Sequence, residues 1–264
     1  KEMLRRIQAA GIAGLGGATF PTHVKLNPPP DKKIDTFILN GAECEPYLTA
    51  DHRLMVESPE KILRGMEIIV KLLNVKNAMI GIEHNKPDAI KILRQKIAEL
   101  GLPYKVHGLH VKYPQGAEKQ LIKALTNRSV PAGGLPMDVG CLVENVGTVM
   151  AVWDAVVNGR PLIQRVTTVT GPPVVEPSNV LARVGEIKAT ILERDGKRQI
   201  VVSAARRIRG YDVANGAAPW EIGGMTDNVI PSPVADKDLP GSSFCLTNPF
   251  RGELQGDDFF LEIR

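Results

Sequence analysis

Between residues 34 and 157 short apolar runs alternate with segments of helical period, and this alternation limits the possible folds more than any other feature of the chain. Residues 34–39 (IDTFIL), 75–83 (VKNAMIGIE) and 104–111 have the length and apolar character of buried strands. Residues 59–73 open on Pro59 and place Ile62, Met66, Ile69, Val70 and Leu73 on one helical face; residues 86–100 and 116–126 share that spacing, and 143–157 reads as a last long helix. A further helix over residues 2–10 stops at Gly11. Strand and helix in strict turn imply a parallel α/β sheet.

The pattern changes after Gly159. Residues 165–171 (RVTTVTG) and the following PPVVEPSN read as strand and turn, and from Gln199 onward short strand runs separated by Gly, Pro, Asp and Asn read as all-β. The expected organisation is an α/β domain over residues 1–160, a β linker over 161–188 and a short β segment over 189–264. Composition is that of a folded globular protein, with 43% hydrophobic and 23% charged residues. A net charge of +4 with few aromatics gives no footprint for nucleic acid. No apolar run approaches the ~20 residues of a membrane span, and the opening KEMLRRIQAAG lacks the apolar stretch of a signal peptide. Cys44, Cys141 and Cys245 are scattered, so neither a disulfide framework nor a local metal or iron–sulfur site is indicated, and a reducing cytoplasm is expected.

Four loops carry chemistry. In GIAGLGGATFPTHVKL (residues 11–26), Gly14, Gly16 and Gly17 let backbone approach a ligand without β-carbons in the way, and successive N–H groups can cradle phosphate. The run is neither a Walker loop nor a Rossmann fingerprint, and a purely structural turn is the alternative. Asn40-Gly-Ala-Glu43-Cys-Glu45-Pro directly follows the first strand, where α/β folds bind ligands, although a solvated acidic turn would look the same. In Tyr113-Pro-Gln-Gly116-Ala-Glu118, Gly116 opens a helix whose N-terminal dipole favours electron-rich groups, and Glu118 reads equally as a capping charge. In LVENVGT (residues 142–148), Asn145 and Thr148 are candidates to hydrogen-bond a ligand or simply to satisfy local backbone.

These four segments, in order over roughly residues 4–188, resemble one peripheral subunit of the Rnf electron-transport complex and its relative, the flavin-binding NADH dehydrogenase subunit of respiratory complex I. The matching patterns are G-x-G-G-x-x-F-P-T, N-x-x-E-x-E-P, Y-x-x-G-x-E and V-x-N-V-x-T. The resemblance implies a Rossmann-like parallel sheet with helices on both faces, followed here by a short all-β C-terminal segment. It implies that Gly14, Gly16 and Gly17 cover the phosphate and ribityl chain of flavin mononucleotide (FMN), with Lys25 facing phosphate. Asn40, Glu43, Glu45, Tyr113, Gly116 and Glu118 then line the flavin and nicotinamide pocket, and Asn145 and Thr148 bond the flavin or its phosphate. Ala42 stands where complex I relatives usually carry Asp. Asp51 and Arg53 also match, and are explained equally by a helix-start acid and a surface cation.

The implied function is hydride exchange between NAD(H) and FMN, with electrons passed singly to iron–sulfur clusters that the full-length family carries and this chain does not ligate. The implied partners are the other subunits of a membrane-bound complex coupling NADH and ferredoxin chemistry to ion transport. This subunit is then peripheral, on the cytoplasmic face, with no span of its own. A scaffold of the same fold without cofactor is the alternative. Residues 189–264 resemble instead one blade of a pyrroloquinoline-quinone-type β-propeller, through Gly210, Tyr211, Asp212, Gly216 and Trp220; no second copy is present, and no function attaches to the segment.

Overall fold

The computed structural model describes residues 1–16, 19–170 and 177–183, and beyond these the backbone of the strands between 188 and 262. Gly17 and Gly216 lie outside the described residues. The chain divides into two compact units, Lys1–Thr168 and Val169–Arg264.

The first unit opens with helix α1 (Glu2–Ala9) and a single helical turn, α2 (Thr22–Lys25), joined by the glycine-rich loop. Then follow β1 (Thr36–Asn40), α3 (Ala50–Glu57), α4 (Pro59–Leu73), β2 (Asn77–Glu83), α5 (Pro87–Glu99), β3 (Lys105–Leu109), α6 (Glu118–Thr126), β4 (Cys141–Asn145) and α7 (Val146–Asn158). The four strands are all parallel, in the order β3-β2-β1-β4. After β3 the chain crosses back to the other side of β1, so the order reverses between β1 and β4. In open parallel sheets, ligands sit at the carboxyl ends of the strands at such a reversal.

The inner strands β1 and β2 are rich in apolar side chains because both faces are covered. Phe37, Leu39, Ile80, Ile82 and Leu142 point into one core with residues of α1, α4, α5 and α7. Ile38, Leu109, Cys141 and Val143 form a second core with Leu121 and Ile122 of α6. Helices α4 and α7 touch so closely that a β-carbon on Gly65 would lie 2.2 Å from the Val149 carbonyl oxygen.

Two elements depart from the sequence expectation. Cys141–Asn145 is a strand, and the helix expected from residue 143 begins at Val146. A four- or five-residue apolar run is compatible with either period, and pairing with β1 decides it. Helix α6 starts at Glu118 with Ala117 as its cap, two residues later than expected at Gly116.

Two strands follow α7, β5 (Gln164–Val169) and β6 (Ser178–Arg183). The second unit contains an antiparallel sheet of order β10-β9-β8-β7, built from β7 (Lys188–Arg194), β8 (Lys197–Ala204), β9 (Arg207–Asp212) and β10 (Trp220–Ile222). It also contains a three-stranded antiparallel sheet of β11 (Ser232–Ala235), β12 (Ser243–Thr247) and β13 (Phe259–Glu262). No helix of the described residues is long and apolar enough to cross a membrane.

Candidate functional site

Asn40 and Asn145 are register partners at the carboxyl ends of β1 and β4, at the reversal of strand order. Asn40 Nδ2 donates to the Gly116 carbonyl (2.9 Å), and its Oδ1 accepts from the Ala42 N–H (3.2 Å). Gly116 N–H in turn donates to Cys44 Sγ at 3.2 Å, and a β-carbon at Gly116 would press on that sulfur at 3.3 Å. The acidic loop and the loop before α6 are therefore locked together beneath their exposed rims. On that rim Tyr113 is 67% exposed, and the neighbouring Glu45 carboxylate pushes its hydroxyl upward from the ordinary range. The Tyr113-Pro114 peptide bond is cis.

Glu43 turns toward the start of α3. It adopts a left-handed backbone (φ 45°), and its carboxylate accepts from the N–H groups of Asp51 (2.7 Å) and His52 (3.0 Å), capping α3. Burial pushes its carboxyl upward, against those two hydrogen bonds. The Lys86 ammonium, buried beneath the same loop, donates to the carbonyls of Ala42 (2.9 Å) and Glu43 (3.2 Å). Lys86 carries no sequence motif; a lysine that stays buried needs such oxygens, but its spacing from residue 42 gives no hint of them.

Asn145 ties three segments together. Its Oδ1 accepts from Gly147 N–H (2.8 Å) and Thr148 N–H (3.4 Å), capping α7, and its Nδ2 donates to Asp51 Oδ2 at 2.6 Å. Burial and the charge of Glu43 push the Asp51 carboxyl up to about 7, with the Asn145 bond opposing them. Thr148 is fully buried and its hydroxyl accepts from Leu15 N–H (2.9 Å), pinning the glycine-rich loop to α7. Gly16 rests on Asn145, where a β-carbon would meet the asparagine Cβ at 3.0 Å. Gly14 donates its N–H to the Phe20 carbonyl at 2.9 Å, closing the loop. Arg53 pairs with Glu57 along α3.

Lys25 stands between two carboxylates. Its ammonium donates to Glu118 Oε1 at 2.9 Å and lies 4.0 Å from Glu144 Oε1. Glu144 is 4% exposed and burial pushes it up to about 7, with Lys25 lowering and Glu118 raising it. Sequence reasoning passed over Glu144; its signal was a lone acid within the apolar run CLVEN.

The glycine-rich loop, the acidic loop, the loop before α6 and the β4–α7 junction thus meet at one end of the sheet. The protein family described as the Nuo51 FMN-binding domain matches residues 7–154, more than half of the chain. The chain belongs to this family. It is 60% identical over 185 residues to a subunit of the proton-translocating ferredoxin:NAD(+) oxidoreductase complex of Clostridium ljungdahlii, covering 70% of this chain and 40% of that protein. To the corresponding subunit of the Na(+)-translocating ferredoxin:NAD(+) oxidoreductase complex of Acetobacterium woodii it is 50% identical over 187 residues, 71% of this chain and 42% of that one. The chain therefore spans about two fifths of the length of these relatives. Among solved structures, an NAD+-reducing [NiFe]-hydrogenase in the H2-reduced state superposes with a TM-score of 0.60 at 24% identity, over 69% of this chain and 37% of that one. That likeness establishes the fold. The propeller resemblance of residues 189–264 gains no support from these comparisons.

The residues present fit a flavin mononucleotide. Gly16 carries no side chain of its own, and the space a β-carbon would take there is filled by Asn145, which holds the loop backbone against β4. Glu144 Oε1 and Thr22 Oγ1 are buried hydrogen-bonding atoms without a partner among the described residues, and Lys25, on the same helical turn as Thr22, supplies a cation.

Proposed function

We propose that this chain binds FMN at the reversal between β1 and β4 and exchanges a hydride between it and NAD(H), as the NAD(H)-reacting part of a ferredoxin:NAD oxidoreductase complex of the Rnf type. The observation that carries this reading is the meeting of four loops, the farthest joined by a contact across 133 residues, at that one sheet end in a chain of an FMN-binding family. The flavin supplies the chemistry, accepting two electrons as hydride and releasing them singly. The protein binds and orients. Gly14 and Gly16 bring bare backbone to the phosphate and ribityl chain, Lys25 contributes positive charge, and Asn40 and Asn145 hold the loops that frame the ring. Glu45, Tyr113 and Glu118, on the outer rim, face the nicotinamide nucleotide.

Glu43 serves this site indirectly, by capping α3 and so fixing Asp51 against Asn145. Thr148 acts the same way on the glycine-rich loop. No group of three or more His, Cys, Asp or Glu among the described residues is arranged to hold a metal ion. Single electrons pass between the flavin and iron–sulfur centres held elsewhere in a membrane-bound complex, in which this subunit is peripheral at the cytoplasmic face.

Titrating FMN with the apoprotein tests the reading: its fluorescence is quenched with one flavin per chain, and NADH then bleaches the bound flavin. Flavin fluorescence unchanged at micromolar protein would sink the proposal. Quenching without bleaching would leave a flavin protein that is no NADH dehydrogenase.

A further inference from the structure

Glu144 sits where a carboxylate is costly. It lies in the short strand β4, which runs through the second core, and pairs in register with Leu39 of β1. Its Oε1 has no hydrogen-bond partner among the described residues. The charged groups that face it are Lys25, from α2, and Glu118, from the start of α6. One ammonium is thus shared unequally by two carboxylates: bonded to Glu118 at 2.9 Å and standing off from Glu144 at 4.0 Å. With both acids ionised the group of three carries one net negative charge, and with Glu144 protonated it is neutral. A buried carboxyl in such a place is held near neutrality, at about 7, ready to change state within the physiological range.

An anionic ligand brought to Lys25 changes the balance. A phosphate beside the ammonium adds negative charge within a few ångströms of Glu144, in surroundings of low dielectric where like charges repel strongly. The least costly response is a proton on the buried Glu144 Oε1, which has no hydrogen-bond partner among the described residues.

On the reading that Lys25 meets the FMN phosphate, we infer that Glu144 is a positioning residue that acts through Lys25: its Oε1 takes one proton from solvent when the phosphate binds, which removes a negative charge from beside the ammonium as the phosphate adds its own. One O–H bond forms, no electrons move, and Glu144 itself need not touch the flavin.

Two measurements test this. In the first, FMN affinity is measured by fluorescence quenching from about pH 6 to about pH 9; one linked proton makes the dissociation constant rise by up to about tenfold per pH unit above neutrality. The variant Glu144→Gln, which keeps the shape and holds no ionisable proton, gives a flat profile and binds more tightly than wild type at the alkaline end. Riboflavin, which lacks the phosphate, shows little pH dependence with either protein. A wild-type slope that persists in Glu144→Gln overturns the inference while leaving FMN binding intact; a riboflavin slope equal to that of FMN overturns the link to phosphate. If wild type binds no FMN at any pH, the proposed function falls as well. In the second measurement, made without flavin, the infrared band of protonated carboxyls is compared between wild type and Glu144→Gln. A carboxyl that titrates near neutrality and disappears in the variant is expected, and its absence from wild type overturns the inference independently of any ligand.

Discussion

Replacing Asn145 by alanine should destabilise the α/β unit by an amount that depends on pH, because the side chain does two jobs of different electrostatic character. Its Oδ1 caps α7 by accepting from Gly147 and Thr148, and loss of such a cap costs ~1 kcal/mol at any pH. Its Nδ2 donates to Asp51 at 2.6 Å, and Asp51 titrates at about 7. At about pH 8 that bond serves a buried carboxylate and is worth ~1.5–3 kcal/mol; at about pH 5 it serves a neutral carboxyl and is worth ~1 kcal/mol. The total loss is then ~2.5–4 kcal/mol in the alkaline case and ~2 kcal/mol in the acid one, which for a domain of this size lowers the alkaline unfolding temperature by roughly 5–16 °C. The assay is far-ultraviolet circular dichroism on heating and in urea, since all described helices belong to this unit. Asn145→Asp separates the two jobs. It keeps the capping oxygen but sets a second carboxylate against Asp51, so the pair must share a proton. It should match wild type near pH 5 and lose stability steadily above neutrality. Equal losses for Asn145→Ala at both pH values, or an Asn145→Asp protein as stable as wild type at pH 8, would refute this account of Asp51.

Gly65→Ala should destabilise despite a helix-propensity gain of ~1 kcal/mol, because its β-carbon would strike the Val149 carbonyl at 2.2 Å and force α4 from α7, an overpacking cost of ~1–3 kcal/mol or more. The obstacle is backbone, so adding Val149→Ala should not restore the unfolding temperature; full rescue would contradict the packing. Asp51 and Glu144 are both raised to about 7 from ordinary values near 4, so the folded state binds more protons than the unfolded one, and their contribution, complete below about pH 4, is lost as pH rises to 7. Urea titrations of wild type and Glu144→Gln across that window should show a shallower decline in the variant; identical slopes would mean that Glu144 is not raised. Thr148→Val should free the Leu15 N–H and weaken FMN binding about fivefold, the worth of one hydrogen bond of ~1 kcal/mol; unchanged affinity in a quenching titration would remove the loop anchor from binding. Lys25→Ala should weaken FMN far more than riboflavin, and equal losses for both would take Lys25 away from the phosphate.

The strands over residues 36–40 and 77–83 and the helices over 59–73 and 87–99 were legible in the sequence for a local reason. A strand covered on both faces shows as an unbroken apolar run, and a helix covered on one face shows its 3.6-residue period. The four loops were legible as well, because glycines, an asparagine after a strand and paired acids are local signals of backbone approach and polar contact. Strand β4 was not, since CLVEN is too short for its period to be read and continues without a turn into α7. Only pairing with β1, a hundred residues earlier, makes it a strand and places Asn145 beside Asn40. The same distance hid the roles within the site. That Glu43 turns inward to cap α3, that Lys25 lies between Glu118 and Glu144, and that Asp51 meets Asn145 are consequences of the strand order β3-β2-β1-β4. Local sequence specifies which elements form and which loops are polar; the order in which strands pair sets the neighbours of each charge, and those neighbours set its protonation and its chemistry.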